Sequence, residues 1–324
     1  MKLRGVEFGR VWGASGVQGF FGEGYWFHKL LQPFGLNWAH ATFVAKTTTL
    51  GPRVGNMPLK SDFTPQEKLP KCIVVKPLKG VALNSVGLSG PGVEALLERG
   101  LWQIRKKPFL ISFMSVADTP EKRVHELHDF VTILKEHLPK FQAPVGLQIN
   151  YSCPNTHIHI GNLIDEVAEG LGVASELGIP LVPKFSVTLP AEVGAKIASN
   201  PACDAICISN TIPWGAFPEQ IDWKGLFGSR TSPLAHLGGG GLSGANLLHF
   251  LMSWIRSSRR AGLRKPLNAG GGILGKEDAS LVLGIGAESI FLGSIAFLRP
   301  WRVGGVIDFA HSWHMGAYHS QATA

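Results

Sequence analysis

The chain has 324 residues, of which 45% are hydrophobic and 17% charged, with a formal net charge of +8. That apolar content is ample for a large core without disulfide support. No window of about 18 uninterrupted apolar residues predicts a membrane span. The basic balance suits an anionic ligand or an acidic partner. We expect no nucleic-acid binding, because no aromatic residue interrupts the basic run at 256–265.

The N-terminus and the cysteines point to a reducing compartment. MKLRGVEFGR lacks the apolar core of a secretory leader, so we expect a cytoplasmic protein. The four cysteines, Cys72, Cys153, Cys203 and Cys207, form neither a CxxC pair nor a zinc pattern. We therefore predict reduced thiols that are mostly buried.

Short apolar runs alternate with helical patterns along the chain. Strands are predicted at 11–15, 42–46, 109–115, 145–150, 181–186, 205–209, 266–270 and 289–294. Helices are predicted near 22–34, 91–107, 121–138, 162–177, 190–199, 244–257, 275–284 and 301–315. Such alternation implies parallel strands with helical crossovers, and eight units indicate one closed (β/α)8 TIM barrel over residues 1–324. The alternative is an open doubly wound sheet, but its G-x-G-x-x-G turn is not evident.

Two long loops are rich in Gly, Pro and Thr. They cover 47–90 and 211–243, and long loops in a compact domain are usually functional. Residues 72–84 are predicted to form a hairpin over the barrel. We therefore expect elaborated loops at the carboxyl-terminal face, where barrel enzymes place their active sites.

Polar or glycine-rich segments follow each of the eight predicted strands. In chain order they are Ala14-Ser15-Gly16, Lys46-Thr47-Thr48, Ser112 with Ser115, Asn150 with Cys153, Lys184, Ser209-Asn210-Thr211, Gly270-Gly271-Gly272 and Gly293-Ser294. Their carboxyl-terminal position predicts that they converge on one mouth. The two glycine turns after strands seven and eight can bind phosphate through backbone N–H groups, or can be ordinary turns.

The two strand-end lysines need an anionic partner, because they follow apolar strands. We favour bound anions for Lys46 and Lys184 over structural ion pairs, and Lys184 could also be a Schiff-base nucleophile. Four carboxamides, Asn84, Asn150, Asn155 and Asn210, favour a ligand with amide-like groups, although each alone suits a cap or turn.

Cys153 is a candidate base or nucleophile, since it lies on a loop three residues past its strand. His157 and His159 lie close to it in sequence. No third ligand is apparent, so we expect no metal site.

These residues resemble the dihydroorotate dehydrogenases, a family of FMN-containing (β/α)8 barrels, over nearly the whole chain. The matching motifs are ASG at 14–16, KTTTLGPRVGN at 46–56, NSVGLSG at 84–90, NYSCPN at 150–155, PK at 183–184, SNT at 209–211, GGLSG at 240–244, GGGI at 270–273 and LGS at 292–294. A cysteine at 153 resembles the class 1 enzymes, which lack an N-terminal membrane helix.

The resemblance implies oxidation of dihydroorotate to orotate in pyrimidine biosynthesis, with Cys153 as the base at C5 and hydride transfer from C6 to flavin N5. It implies substrate contacts by Lys46, Asn84, Ser85, Val86, Gly87, Leu88, Asn150, Asn155, Asn210 and Thr211. It implies FMN contacts by Ala14, Ser15, Gly16, Lys46, Thr47, Ser112, Asn150, Lys184, Ser209, Gly244, Gly271, Gly272, Gly293 and Ser294. It further implies a homodimer or an electron-transfer partner subunit, with the electron acceptor left open.

Three segments depart from the family pattern. Gly90 stands where N-x-x-G-L-x-N has its second Asn, Phe185-Ser186-Val187 replaces the usual L-S-P, and THIHIG at 156–161 is not a glycine-rich loop. Alternatives are therefore a related FMN oxidoreductase acting on another dihydropyrimidine or cyclic imide, a Schiff-base lyase using Lys184, or a non-catalytic binder of a phosphorylated ligand.

Overall fold

The computed structural model describes residues 1–151 and 160–313. Within them the strands are β1 (Lys2–Leu3), β2 (Val6–Glu7), β3 (Val11–Gly13), β4 (Ile73–Lys76), β5 (Val81–Asn84), β6 (Phe109–Phe113), β7 (Val145–Asn150), β8 (Leu181–Ser186), β9 (Ile206–Asn210), β10 (Ile212–Pro213), β11 (Gly241–Gly244), β12 (Leu267–Ala269) and β13 (Ser289–Leu292). Seven of the eight predicted strands are confirmed as β3, β6, β7, β8, β9, β12 and β13.

The helices alternate with these strands, as predicted. They are α1 (Trp26–Leu31), α2 (Val93–Glu98), α3 (Pro120–His137), α4 (Ile160–Ser175), α5 (Ala191–Ala198), α6 (Trp223–Phe227), α7 (Leu247–Arg260), α8 (Lys276–Gly284), α9 (Ile295–Leu298) and α10 (Val303–Ser312). Short 3-10 turns occupy Gln32–Phe34, Pro77–Lys79, Leu138–Lys140, Ala235–Leu237 and Pro300–Arg302. None of the helices in the described part of the chain is both long and apolar enough to cross a membrane.

Helix α3 shows how the sequence sets its own bounds. The Thr119 hydroxyl accepts from the Lys122 N–H at 3.3 Å, and Pro120 occupies the first turn, where its missing N–H costs nothing. Buried apolar residues then recur at helical spacing, including Val124, Leu127 and Val131. The apolar stripe packs on the sheet and the opposite face remains exposed.

The main sheet contains seven parallel strands in the order β3-β13-β12-β9-β8-β7-β6. The predicted strand at 42–46 forms isolated parallel bridges instead of a regular strand. It bonds to β3 on one side, where the Thr42 N–H donates to Val11 O at 2.8 Å. It bonds to β6 on the other, where the Ala45 N–H donates to Leu110 O at 2.9 Å. Both edges of the curled sheet therefore contact one segment.

A second sheet covers the carboxyl-terminal face, in the order β10-β11-β5-β4 with antiparallel neighbours. The predicted hairpin at 72–84 is confirmed as β4 and β5. The pairing of β11 with β5 was not expected, because loop 211–243 carries no strand-like alternation. This sheet holds Asn84 and Gly244 over the ends of the parallel strands.

Successive side chains of a strand point to opposite faces of the sheet, and both faces of this parallel sheet are buried. In β7, Val145, Leu147 and Ile149 join the large core under the helices. Gly146, Gln148 and Asn150 therefore share the opposite, inward face. That inner side also holds a smaller apolar cluster, formed by Leu3, Phe8, Trp12, Val44, Leu110, Val182, Ala205, Cys207 and Phe291.

Candidate active site

A chain of hydrogen-bonded polar side chains crosses the inner side of the sheet. Ser15 Oγ lies 3.0 Å from Thr47 Oγ1, which lies 2.9 Å from Ser112 Oγ. Ser112 donates to Gln148 Oε1 at 3.3 Å. These contacts link the ends of β3, segment 42–48, β6 and β7. They hold three of the hydroxyls that the sequence predicts for flavin binding.

The chain continues through residues that sequence reasoning did not single out as site residues. Gln148 Nε2 lies 3.4 Å from Cys207 Sγ, and Cys207 Sγ lies 3.4 Å from Asn268 Oδ1. Asn268 Nδ2 then donates to Ser289 Oγ at 2.8 Å. We call this set the polar belt; it comprises Ser15, Thr47, Ser112, Gln148, Cys207, Asn268 and Ser289. The signal that could have found its interior members is their spacing, since Gln148, Cys207 and Asn268 lie two residues before Asn150, Ser209 and Gly270 on the same strand faces.

Lys46 lies buried at the end of segment 42–48. Its Nζ donates to Ser89 O and lies 4.6 Å from the centre of the Phe20 ring. Burial lowers the pKa of Lys46 to about 8, while the field of Glu23 opposes that shift. Because a buried ammonium is costly, the site favours an anion near this side chain.

Lys184 lies on β8, in register with Asn150 on β7 and with Cys207 on β9. Its Nζ is 5.3 Å from the centre of the Phe291 ring. Burial lowers the pKa of Lys184, and Cys207 opposes the shift. The structure therefore places a second buried amine directly beside the predicted Asn150 carboxamide.

The carboxamides from β7 and β9 meet at this point. Asn210 Nδ2 donates to Asn150 Oδ1 at 3.4 Å, and Asn210 Oδ1 accepts from the Thr211 N–H at 2.9 Å. Asn84 is in register with Gly241 on β11, and a Cβ at Gly241 would collide with the Thr211 side chain. The predicted Asn84, Asn150, Asn210 and Thr211 thus lie around one mouth.

The predicted substrate loop 85–88 follows β5, and hydrogen bonds from Asn56 hold its backbone. Asn56 Nδ2 donates to Ser85 O at 2.8 Å, and the Asn56 N–H donates to Val86 O at 2.8 Å. Gly87 and Leu88 both have positive φ, +71° and +58°. A non-glycine residue in this conformation is uncommon and strained. The positive φ of Leu88 therefore indicates that the surrounding contacts impose the conformation of this loop.

The glycine turns lie at the opposite side of the mouth. Gly271 has φ +130°, and a Cβ there would be 3.1 Å from Ser209 Oγ. Gly272 has φ +80°, and a Cβ there would be 2.6 Å from the backbone nitrogen of Leu248. Only glycine fits such positions without strain. The predicted contacts Ser209, Gly244, Gly271 and Gly272 are therefore brought to the first turn of α7.

The remaining predicted flavin contacts come from β3 and β13. Gly293 follows β13, and a Cβ there would be 3.0 Å from the Ala14 side chain. Gly16 has φ +93° and lies against Lys46, while Ser294 precedes α9. These turns add the glycine-rich segments after β3 and β13 to the mouth.

Comparison with known proteins agrees with this arrangement. The family model described as dihydroorotate dehydrogenase matches residues 10–308. The chain belongs to the dihydroorotate dehydrogenase family.

Two curated relatives illustrate the similarity. The dihydroorotate dehydrogenase B (NAD(+)) catalytic subunit of Endomicrobium trichonymphae is 28% identical over 300 residues, which are 90% of this chain and 85% of that protein. The dihydroorotate dehydrogenase A (fumarate) of Lacticaseibacillus paracasei is 28% identical over 294 residues, which are 88% of this chain and 87% of that protein.

A solved structure of DHODH from Eimeria tenella in complex with ferulenol has the same fold. Its TM-score is 0.68 at 19% identity, and the match covers 99% of this chain and 84% of that one. The likeness supports an α/β fold with a curled parallel sheet.

Residues 152–155 of the dihydroorotate dehydrogenase motif NYSCPN, among them Cys153 and Asn155, lie outside the described residues, as do His157 and His159. The chain entering this motif is fixed, because the Tyr151 N–H donates to Lys184 O at 3.0 Å and its ring stacks on Phe185. Within 1–151 and 160–313, no group of three or more His, Cys, Asp or Glu side chains could hold a metal ion.

Behind this entry point lies a buried ion pair that the sequence did not reveal. Arg123 Nε and Nη2 donate to the Glu166 carboxylate oxygens at 2.7 Å each, joining α3 to α4. Bidentate pairs of this kind are strong and directional. Removing one partner of a buried pair costs about 3–5 kcal/mol, so the pair holds α4 against α3 beside Asn150 and Tyr151.

Proposed function

We propose that this protein is an FMN-dependent dihydroorotate dehydrogenase that oxidises dihydroorotate to orotate in pyrimidine biosynthesis. The observation that carries the proposal is the row formed by Asn150 and Lys184, with Asn210 bonded to Asn150, at the carboxyl-terminal mouth. It lies within the region that the family model matches. An alternative within the same chemistry is oxidation of another dihydropyrimidine or cyclic imide.

We also infer that the sheet closes into one (β/α)8 barrel, with the chain forming a single domain over residues 1–324. Support comes from segment 42–48, which bonds to both edge strands. Besides its bonds at Thr42 and Ala45, the Thr48 N–H donates to Ser112 O at 2.9 Å. The polar belt crosses this same junction through Thr47, which bonds to Ser15 beyond β3 and to Ser112 on β6.

The residues present fit a flavin mononucleotide. The glycines at 244, 271 and 272 have positive φ, and those at 271 and 272 pack against Ser209 and the first turn of α7, where backbone N–H groups would hold the phosphate. The Ser15, Thr47 and Ser112 hydroxyls offer donors and acceptors for a polar ring edge. Lys184 would place positive charge beside the ring, which stabilises an anion in a water-poor site. When bound, the flavin supplies the hydride acceptor.

The substrate would lie between the flavin and the carboxamides. Asn150 and Asn210 can donate to and accept from a cyclic amide, since each carboxamide offers both functions. Lys46 would face the substrate carboxylate, and its lowered pKa reflects burial that such an anion would offset. Asn84 to Leu88 and Thr211 would line the same pocket, with Asn155 as a further contact.

Cys153 is proposed as the general base. Its thiolate would take the proton from C5 of dihydroorotate while hydride leaves C6, which creates the C5–C6 double bond of orotate. A thiol has an ordinary pKa of ~8.5, so turnover should rise with pH as the thiolate forms.

The experiment that tests this function is anaerobic mixing of the purified yellow protein with dihydroorotate. Loss of the flavin absorbance supports the proposal. A protein that takes up no FMN, or whose flavin is not bleached, contradicts it. A screen of fumarate and NAD as oxidants then identifies the acceptor, and sedimentation distinguishes a homodimer from a monomer.

The Schiff-base alternative has a separate readout. Borohydride reduction in the presence of a carbonyl substrate would attach that substrate covalently to Lys184. An unmodified Lys184 peptide by mass spectrometry excludes this chemistry.

A further inference from the structure

A second cavity lies at the amino-terminal end of the sheet, away from the mouth. It is an open cleft of about 590 Å³ between α1, segment 36–43 and the residues that precede β3 and β6. Gly9 and Pro108 line it, just before the strands that begin at Val11 and Phe109. Its volume is within the range typical of sites for small ligands. We call it the side cleft.

Arg105 forms one wall of the side cleft. Its guanidinium carbon lies 3.9 Å from the centre of the Phe43 ring and 5.3 Å from that of Phe109. Its Nη1 donates to Phe21 O at 2.9 Å, a neutral acceptor. Burial lowers the pKa of Arg105, with the field of Glu23 opposing the shift, but the Glu23 oxygens accept from the backbone N–H groups of residues 20 and 21.

Within the described part of the chain, Arg105 has no carboxylate at ion-pair distance. A partly buried guanidinium usually has an anionic partner, since desolvation of its charge is otherwise uncompensated. The fixed fork of N–H donors on arginine suits carboxylate and phosphate groups. Arg105 therefore indicates an anion in the cleft.

Four polar atoms in the walls of the side cleft are buried without a hydrogen-bond partner among the described residues: Gln18 Oε1, His28 Nε2, Trp38 Nε1 and Arg105 Nε. The Gln18 and His28 side chains are more than nine-tenths buried. Burial lowers the pKa of His28 to about 4, so its ring is neutral near pH 7. Each unpaired buried group costs about 1–3 kcal/mol, so this wall would gain stability if these side chains turned toward the polar groups of a ligand in the cleft.

The rest of the side cleft combines apolar walls with positive charge. Trp38 is half-buried and offers its ring to a flat ligand, while Phe8, Leu36 and Phe43 are buried apolar residues of the same walls. Lys29 and Lys107 lie exposed at the rim. The one acidic residue that lines it, Glu7, is paired with the N-terminal amine at 2.8 Å.

We propose that the side cleft binds a small molecule that carries a flat ring and an anionic group, with Arg105 holding the anion and Trp38 packing on the ring. The site is separate from the mouth and does not depend on the proposed function. Phosphate and carboxylate are both suitable anions, and the experiment below tells them apart.

The test is isothermal titration calorimetry of the purified full-length flavoprotein with two ring anions, uridine 5′-monophosphate and 2-naphthoate. Uridine and 2-naphthalenemethanol serve as their neutral counterparts. We expect one-site binding of at least one anion with a Kd of about 1 mM or lower, and no measurable binding of its neutral counterpart. Absence of binding by both anions, or equal binding of the neutral compounds, overturns the proposal.

Arg105→Met locates the binding, with Arg99→Met as the matched control. Arg99 also stacks on an aromatic ring, 5.3 Å from the centre of Phe63, but lies outside the side cleft. Arg105→Met should weaken binding about tenfold or more, the scale of a charge-assisted contact, while Arg99→Met should not change it. Equal affinity in the two variants overturns the proposal.

A second pair of substitutions covers the case in which Arg105→Met does not fold. Lys29→Glu with Lys107→Glu reverses two exposed rim charges and leaves the buried wall intact. Binding should weaken, and the loss should shrink at high salt because exposed charges are screened. An unchanged Kd at low salt contradicts an anionic ligand in this cleft.

Discussion

The mouth and the side cleft treat buried polar groups in opposite ways. At the mouth, Gln148 is joined to neighbours on both sides through the polar belt. In the side cleft, Gln18 is similarly buried but its Oε1 has no partner among the described residues. The polar groups at the mouth therefore hydrogen-bond to one another, whereas those of the side cleft gain such partners only from a bound ligand.

The largest effect should come from removing the proposed catalytic base at the mouth. Cys153→Ala removes the proposed base, and general-base catalysis contributes about 10²–10⁴-fold, so kcat should fall by about that factor. Bound flavin, measured by absorbance, should be retained. The buried Cys203→Ala variant is the control, since it lies outside the site. Full activity in Cys153→Ala would reject the assignment.

The part of the mouth proposed to hold the FMN phosphate should be sensitive to one methyl group added at Gly272. Gly272→Ala places a Cβ 2.6 Å from Leu248 N at a φ of +80°. We expect FMN affinity to fall about tenfold or more, because the backbone near the phosphate must move. Gly262→Ala is matched in backbone conformation, with φ +92°, but its Cβ meets nothing within 4 Å. Equal FMN affinity in both variants would mean that close packing at Gly272 does not shape the phosphate site.

The titration of His28 in the wall of the side cleft should make the free energy of unfolding depend on pH. The pKa of His28 is about 4 when folded and 6.5 as the ordinary value, so the unfolded chain binds more protons between them. Stability from this group is therefore present above pH 6.5 and is lost as the pH falls toward 4, by at most about 3 kcal/mol.

Urea unfolding at several pH values checks this, with His28→Leu expected to flatten the acid side of the curve. The His125→Asn variant on the exposed face of α3 is the control for replacing a histidine outside the side cleft. A His28→Leu curve with the wild-type slope between pH 6.5 and 4 would contradict the linkage.

The parts predicted from sequence are those that local pattern determines. Strand β7 has the predicted bounds because its apolar run is fixed by burial on both faces. The strand ends with Asn150 and Lys184 follow for the same reason. The pairing of β11 with β5 was missed, since the four residues Gly241-Leu242-Ser243-Gly244 carry too little periodicity to predict a strand, and their partner in β5 lies about 160 residues away in the chain.

The side cleft could not be predicted for a related reason. Gln18, Trp38 and Arg105 come from three separate segments, and each alone reads as an ordinary core or surface residue. Only packing of α1 and segment 36–43 on the strand starts brings them together. That no described carboxylate lies at ion-pair distance from Arg105 is a property of its three-dimensional surroundings, and no spacing in the sequence records it.

The smallest expected effect comes from the same Gln→Leu substitution made in both regions, at Gln148 and at Gln18. Gln148→Leu removes a paired carboxamide and leaves Ser112 and Cys207 without it, so it should destabilise by about 1–3 kcal/mol. Gln18→Leu replaces a similarly buried carboxamide whose oxygen is already unpaired, so its effect should be neutral or stabilising. Both free energies of unfolding come from urea titrations of the same preparation. Equal destabilisation by the two substitutions would show that Gln18 has its polar needs met without a ligand, and that the difference between the two regions is only geometric.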